Sequence, residues 1–227
     1  MSDLVIDRPE PAMVPVLGGG VFPIRRVFCV GRNYAAHARE MGSDPDREPP
    51  FFFTKPADAV RASQQIPFPP ATSSLHFEME QVIALKSGGS MISSAAALDH
   101  VYGYAPGVDL TRRDLQDEAK SMRRPWDMSK GFDDSGPIGA IVPVSQCGHP
   151  KSGRISLDVN GRIRQNGNLA DMIWPVPDII AFLSNLVALK PGDLIFTGTP
   201  EGVGQVDRGD TITGSIEGVG SLTFQLV

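Results

Sequence analysis

The residues most suited to chemistry lie in the run Leu75-His76-Phe77-Glu78-Met79-Glu80. In an extended strand, residues two apart share a face, so Glu78 and Glu80 present two carboxylates side by side. Their neighbours Phe77, Met79 and Val82 are apolar, which points to at least one buried face. Two adjacent buried carboxylates repel each other and resist leaving water, and a divalent cation removes that cost. The competing reading is an exposed edge strand carrying two solvated glutamates. Asp109 shifts the balance towards a site, because it ends the apolar run Val101–Val108 just before a helix start at Thr111. Three carboxylates without a neighbouring Cys or His pair form a hard oxygen donor set, suited to Mg²⁺, Mn²⁺ or Ca²⁺ over Zn²⁺. His76 and His100 each stand alone and read as structural histidines.

A second constellation is Gly31-Arg32-Asn33-Tyr34-Ala35-Ala36-His37-Ala38-Arg39-Glu40. In a helix, His37 and Glu40 are three apart and meet on one face. A carboxylate beside an imidazole fixes its tautomer and raises its basicity, which is a general-base arrangement, although an ordinary surface pair has the same spacing. Arg113, Gln116 and Lys130 follow Asp109. The turn Thr197-Gly198-Thr199-Pro200-Glu201-Gly202-Val203-Gly204 lacks the Gly-Lys-Ser/Thr ending of a phosphate loop. Its N–H groups and the Thr199 hydroxyl can still hold a carboxylate.

These residues need a scaffold, and the chain has the composition for one. It has 227 residues, 41% hydrophobic and 21% charged, enough for a sizeable core. Twenty-four glycines and 20 prolines indicate an ordered domain rich in turns. A net charge of −5 gives no reason to expect a nucleic-acid or membrane partner. Two cysteines, Cys29 and Cys147, cannot make a disulfide framework and suit a reducing compartment. No apolar stretch is long enough to span a bilayer, and residues 1–13 show no secretory signal, so the expected location is cytoplasmic.

Residues 1–24 read as an arm or short edge strands, and 25–227 as a single catalytic domain. Strands are predicted at 27–30, 51–53, 78–85, 101–108, 194–197, 211–216 and 222–227. Asn160-Gly161 marks a hairpin between 155–159 and 162–165. Helices are predicted at 33–41 with Asn33 as N-cap, at 111–123 capped by Thr111 with Asp114 in the capping-box position, and at 177–189. Short strands outnumber helices and no βαβ rhythm appears, which predicts an α+β, mostly β roll or sandwich with short inserted helices.

Six segments together resemble the fumarylacetoacetate hydrolase family: VGRNYAAHAREM (30–41), FFFTKP (51–56), LHFEMEQVIAL (75–85), YGYAPGVDLTRRDLQDE (102–118), SKGFDDSGPIG (129–139) and KPGDLIFTGTPEGVG (190–204). They keep the family order over nearly the whole chain. The resemblance implies the fold of that family's C-terminal type and a Mg²⁺ or Mn²⁺ site at Glu78, Glu80 and Asp109. It implies a base at His37 with Glu40 as partner, a catalytic lysine at Lys130, and substrate contacts at Gln116, Thr199 and, less directly, Arg113. The sequence departs from the family pattern at Gln81, Pro106, Gly131 and Asp134. The implied substrate is a small 2,4-dioxo acid cleaved between C3 and C4, and the implied assembly is a homodimer. Segments 47–60 and 123–133 match most closely the members that release fumarate and pyruvate. Oxaloacetate decarboxylation or general acylpyruvate cleavage would use the same parts, and a non-catalytic module stapled by metal is the reading from outside enzymology.

Overall fold

The computed structural model describes residues 4–7, 10–35 and 49–227. His37 and Glu40 lie outside these residues, as does most of the helix expected at 33–41. The fold is mostly β, as the sequence implies. Its centre is a six-stranded sheet in the order Val142–Pro143, Val101–Val108, Met79–Leu85, Asp193–Phe196, Arg26–Gly31, Phe51–Lys55. All neighbours pair antiparallel except Asp193–Phe196 with Arg26–Gly31. A five-stranded sheet, Arg162–Asn168, Arg154–Val159, Thr211–Ile216, Gly220–Leu226 and Gln65–Ile66, carries the Asn160-Gly161 hairpin. Both turn residues have positive φ, the geometry that this dipeptide favours.

The strand Met79–Leu85 is buried on both faces. Met79, Ile83 and Leu85 join Ile155, Leu157, Ile212 and Phe224 in one core, whereas Val82 and Ala84 join Val27, Cys29, Leu194 and Phe196 in another. The amino-terminal hairpin Met13–Pro15 with Val21–Pro23 supplies Val14 and Phe22 to that second core. The helix Val176–Leu186 buries Ile179, Ile180 and Leu183 against the first. Among the described residues no helix is long and apolar enough to cross a membrane.

Two local expectations are corrected. The strand expected at 78–85 begins at Met79, and Glu78 occupies the break between it and Leu75–Phe77. Leu75–Phe77 leaves the central sheet to pair with Thr111–Arg112 and Gly204–Val206. Thr111 is therefore strand rather than N-cap, and the helix runs from Arg113 to Ser121 without a side-chain cap. Asp114 instead accepts bonds from the Thr72 hydroxyl at 2.7 Å and from the Ser73 and Leu115 N–H groups.

Candidate metal and catalytic site

The divergence of the two sheets builds the site. At the break, the Asp109 N–H donates to the Glu78 carbonyl at 2.8 Å, which ties the end of Val101–Val108 to the start of Met79–Leu85. Glu78, Glu80 and Asp109 are all buried, and each offers a carboxylate oxygen within 4.8 Å of the others. The spacing reasoning placed Glu78 and Glu80 on one strand face. In the structure the convergence comes from the strand break instead.

Lysine and arginine side chains penetrate this acidic cluster. Lys130 Nζ donates to Glu78 Oε2 and Asp109 Oδ2, both at 2.8 Å, from the end of the short helix Asp127–Lys130. Burial opposes its charge, but Asp109 and Glu78 outweigh burial and hold its pKa above that of an ordinary lysine. Arg113 reaches Glu78 Oε1 at 2.6 Å and Gln116 Oε1 at 2.6 Å. Gln116 is thus brought into the site through Arg113, one helical turn away.

Glu80 differs from its two neighbours. Its Oε2 accepts the Gly198 N–H at 2.7 Å, and its pKa is pushed well above the carboxylate range, first by burial and then by Asp109 and Glu78. Gly198 has φ +91°, and a Cβ there would lie 2.7 Å from the Asn33 Cβ, so only glycine fits. Asn33 is not an N-cap. Its side chain donates to the Thr197 and Trp174 carbonyls and accepts from the Trp174 N–H, clamping the Gly198 turn. The carboxylate held by that turn is the protein's own Glu80.

A divalent cation fits this arrangement. The donors are hard oxygens, and Glu80 carries a charge that its buried surroundings penalise and that a cation would relieve. His76 takes no part in the acidic cluster. It lies beside Ser74 and Arg113, and burial, then the Arg113 charge, lowers its pKa.

Two buried residues escaped the sequence reading. Lys55, read as the stop of a strand, has its ammonium 2.8 Å from Asp109 Oδ1 and donates to the Leu110 carbonyl, the Ser135 hydroxyl and the Lys130 carbonyl. Gln165, read as one residue of a hairpin, accepts the Met79 N–H at 2.9 Å and donates to Thr199 Oγ1 and the Pro200 carbonyl, both at 2.8 Å. It therefore joins the residue between the two glutamates to the hydroxyl expected to touch substrate. Nothing in its own segment marks it, because Arg162–Asn168 is largely polar and exposed apart from Gln165. Among the family departures, Gln81 is fully buried with no hydrogen-bond partner for its amide, and Asp134 lies 3.8 Å from Arg61.

A cleft opens over the cluster. Its buried floor includes Glu78, Glu80, Arg113, Gln116, Lys130 and Thr199, and half-buried Arg32, Phe51, Lys120 and Trp126 form its rim. Fold and site together define a mostly β protein with a buried carboxylate–lysine cluster at the floor of a cleft.

The chain belongs to the fumarylacetoacetate hydrolase family: the model of the fumarylacetoacetate hydrolase C-terminal region matches residues 26–227. Members of this family include hydrolases acting on carbon–carbon bonds, and the chain is an enzyme of that class. It is 48% identical to fumarylpyruvate hydrolase from Pseudomonas aeruginosa, whose crystal structure holds Mn²⁺ and pyruvate, with a TM-score of 0.97 and 99% of each chain covered. The fumarylpyruvate hydrolase of a Ralstonia species is 44% identical over 187 residues, 81% of this chain and 97% of that one. The mitochondrial oxaloacetate tautomerase FAHD1 of Homo sapiens is 41% identical over 203 residues, 89% and 91% of the two chains.

Proposed function

We propose that this enzyme is a divalent-metal-dependent acylpyruvate hydrolase whose preferred substrate is fumarylpyruvate, cleaved to fumarate and pyruvate. The observation that carries this reading is Lys130, buried and charged between Glu78 and Asp109 at the floor of the cleft. The Pseudomonas aeruginosa relative with Mn²⁺ and pyruvate supports it. Glu78, Glu80 and Asp109 would hold Mg²⁺ or Mn²⁺, which supplies Lewis-acid stabilisation of negative charge when bound.

In this reading the pyruvate end of the substrate lies on the floor, against Arg113, Gln116 and Thr199. Water adds to the C4 carbonyl, and the base that accepts its proton is His37 with Glu40. The C3–C4 bond then breaks, its electron pair leaves with C3 as the pyruvate enolate, and a proton returns to C3. Lys130 donates to the oxygen on which that charge develops, the type of interaction that carries most weight in such reactions. A homodimer is part of the same reading and rests on the family resemblance.

Oxaloacetate tautomerisation is the second reading, favoured by the human relative, because it passes through a comparable enolate. Purified protein with Mg²⁺ or Mn²⁺ should release pyruvate from fumarylpyruvate and stop when metal is chelated. Interconversion of oxaloacetate tautomers without any pyruvate from fumarylpyruvate would replace the hydrolase reading with the tautomerase one.

A further inference from the structure

The rim of the cleft carries chemistry that the reaction at its floor does not use. Arg113, Gln116 and Lys120 are spaced by three and four residues, so they share one face of the helix Arg113–Ser121. That face lines the cleft from floor to mouth: Arg113 and Gln116 are buried, whereas the Lys120 side chain is 28% exposed. At about 1.5 Å per residue, Lys120 stands roughly 10 Å along the axis from Arg113.

Across the mouth, the guanidinium of Arg32 lies 5.6 Å from the Phe51 ring centre, and Lys120 Nζ lies 5.7 Å from the Trp126 ring. Phe51 and Trp126 meet edge to face at 5.5 Å. Phe51 reaches this place because Gly31 has no Cβ; one built there would fall 2.0 Å from the ring. The rim is thus two aromatic rings flanked by two cations. Burial, and then the positive charges of Arg113 and Arg32, lower the Lys120 pKa against the opposing pull of Asp117. An anion seated among these cations would reverse that effect. Arg123 and Arg124 are not part of the rim. Both are exposed, and Arg124 lies 3.9 Å from Glu118.

We propose that Lys120 and Arg32 form a second carboxylate subsite at the mouth, so that the cleft selects chains bearing a carboxylate at each end, about 10 Å apart. The assignment rests on the proposed function for its orientation, with the 2-oxo acid end at the floor. A seven-carbon diacid fits the distance: six carbon–carbon bonds of about 1.5 Å span roughly 7.5 Å when extended, and the terminal oxygens add the remainder. The unsaturated middle of such a chain passes Phe51 and Trp126.

Two uncleavable probes test the subsite separately from the chemistry. 2-Oxoheptanedioate and 2-oxoheptanoate lack the C4 carbonyl and differ only in the distal carboxylate. Titration calorimetry with the Mn²⁺-loaded protein should show the diacid binding at least ~10-fold tighter, as a charge-assisted contact implies. Lys120→Met should bring that ratio close to one, and Lys120→Arg should restore most of it. Arg32→Gln should lower the ratio as well. A wild-type protein without the preference, or a preference that survives Lys120→Met, overturns the proposal. If the preference holds while fumarylpyruvate is left intact, the subsite stands and the hydrolase reading falls.

Discussion

Replacing Lys55 with methionine keeps the length and most of the volume of the side chain while deleting one buried charge. The ammonium has no solvent exposure and lies 2.8 Å from Asp109 Oδ1. It also donates to the Leu110 carbonyl at 3.3 Å and the Ser135 hydroxyl at 3.0 Å. Removing one member of a buried ion pair typically costs about 3–5 kcal/mol, because the remaining charge is left uncompensated. The Leu110 carbonyl loses a donor as well, whereas the Lys130 carbonyl keeps the Ser135 hydroxyl as a partner. Asp109 keeps Lys130 on its Oδ2, so the expected cost is the lower end of that range, about 3 kcal/mol. For a chain of this size, each kcal/mol moves Tm by about 2–4 °C, so Lys55→Met should melt roughly 6–12 °C below wild type in chelator.

The same arrangement predicts the sign of a metal effect. A divalent ion at Glu78, Glu80 and Asp109 would compensate the Asp109 charge that the mutation exposes, and it would no longer face the Lys55 ammonium. Mg²⁺ or Mn²⁺ should therefore raise the Tm of the mutant more than that of wild type, closing part of the gap. Thermal melts of both proteins with chelator and with each metal measure this directly. A mutant within about 2 °C of wild type in chelator would show that Asp109 does not depend on Lys55. A gap of equal size with and without metal would show that the ion is not bound beside Asp109.

Five further outcomes are expected. Glu80→Gln should lose Mg²⁺ and Mn²⁺ binding; in wild type, metal affinity should fall as pH drops through the raised Glu80 pKa, since the proton competes with the ion, and calorimetry showing unchanged affinity in the mutant refutes the assignment. Without metal, the raised pKa means that folding binds a proton, so wild-type stability should decline as pH rises from the ordinary glutamate pKa towards that of Glu80, a slope that Glu80→Gln removes. Lys130→Met should lower kcat by about 100-fold or more without weakening metal binding, and a rise in KM at constant kcat would reduce Lys130 to a ground-state contact. Gln165→Leu should cost about 2–4 kcal/mol from stranded partners at Met79, Thr199 and Pro200, and an unchanged denaturation midpoint would contradict that count. His37→Ala and Glu40→Ala should each lose nearly as much rate as the double mutant if the two residues act as a unit, whereas additive losses would separate them.

What the sequence revealed of this site followed from how local each signal was. Glu78, Glu80 and Asp109 were legible as a cluster of short-range signals, but the two-residue repeat gave the wrong geometric reason, since Glu78 lies at a strand break. The strand at Val101–Val108 and the Asn160-Gly161 hairpin were legible as short-range signals too. Lys130 was found only through the family resemblance, since nothing within its own segment distinguishes a buried lysine from a solvated one. Lys55 was missed because its partners Asp109, Lys130 and Ser135 are 54 to 80 residues away, and at short range Lys55-Pro56 reads as a strand terminator. Gln165 was missed because its partners lie on another strand, at Met79, and in the turn after Phe196, at Thr199 and Pro200. The Thr111 cap failed for a different reason: pairing of Thr111 with His76 competes with helix initiation and displaces the helix start to Arg113.

The charge balance of the site connects its stability to its chemistry. Three carboxylates sit among Lys55, Lys130 and Arg113, so their formal charges cancel when all are ionised. Before any ion arrives, the cations pair with Glu78 and Asp109, and the raised pKa of Glu80 lets that carboxyl be buried as the neutral acid. With all three carboxylates ionised, a divalent ion leaves the floor with an excess of about two positive charges. The protein as a whole carries −5, so that excess is local to the cleft floor. A field of that shape draws in dianions and repels neutral or cationic chains. It also favours each step in which charge grows on substrate oxygen, because Lys130 and its neighbours are fixed before the reaction and need no reorientation during it. The cations that let the site fold are thus the ones that later meet the substrate's charge, with Lys55 kept behind Asp109 as a permanent counter-charge.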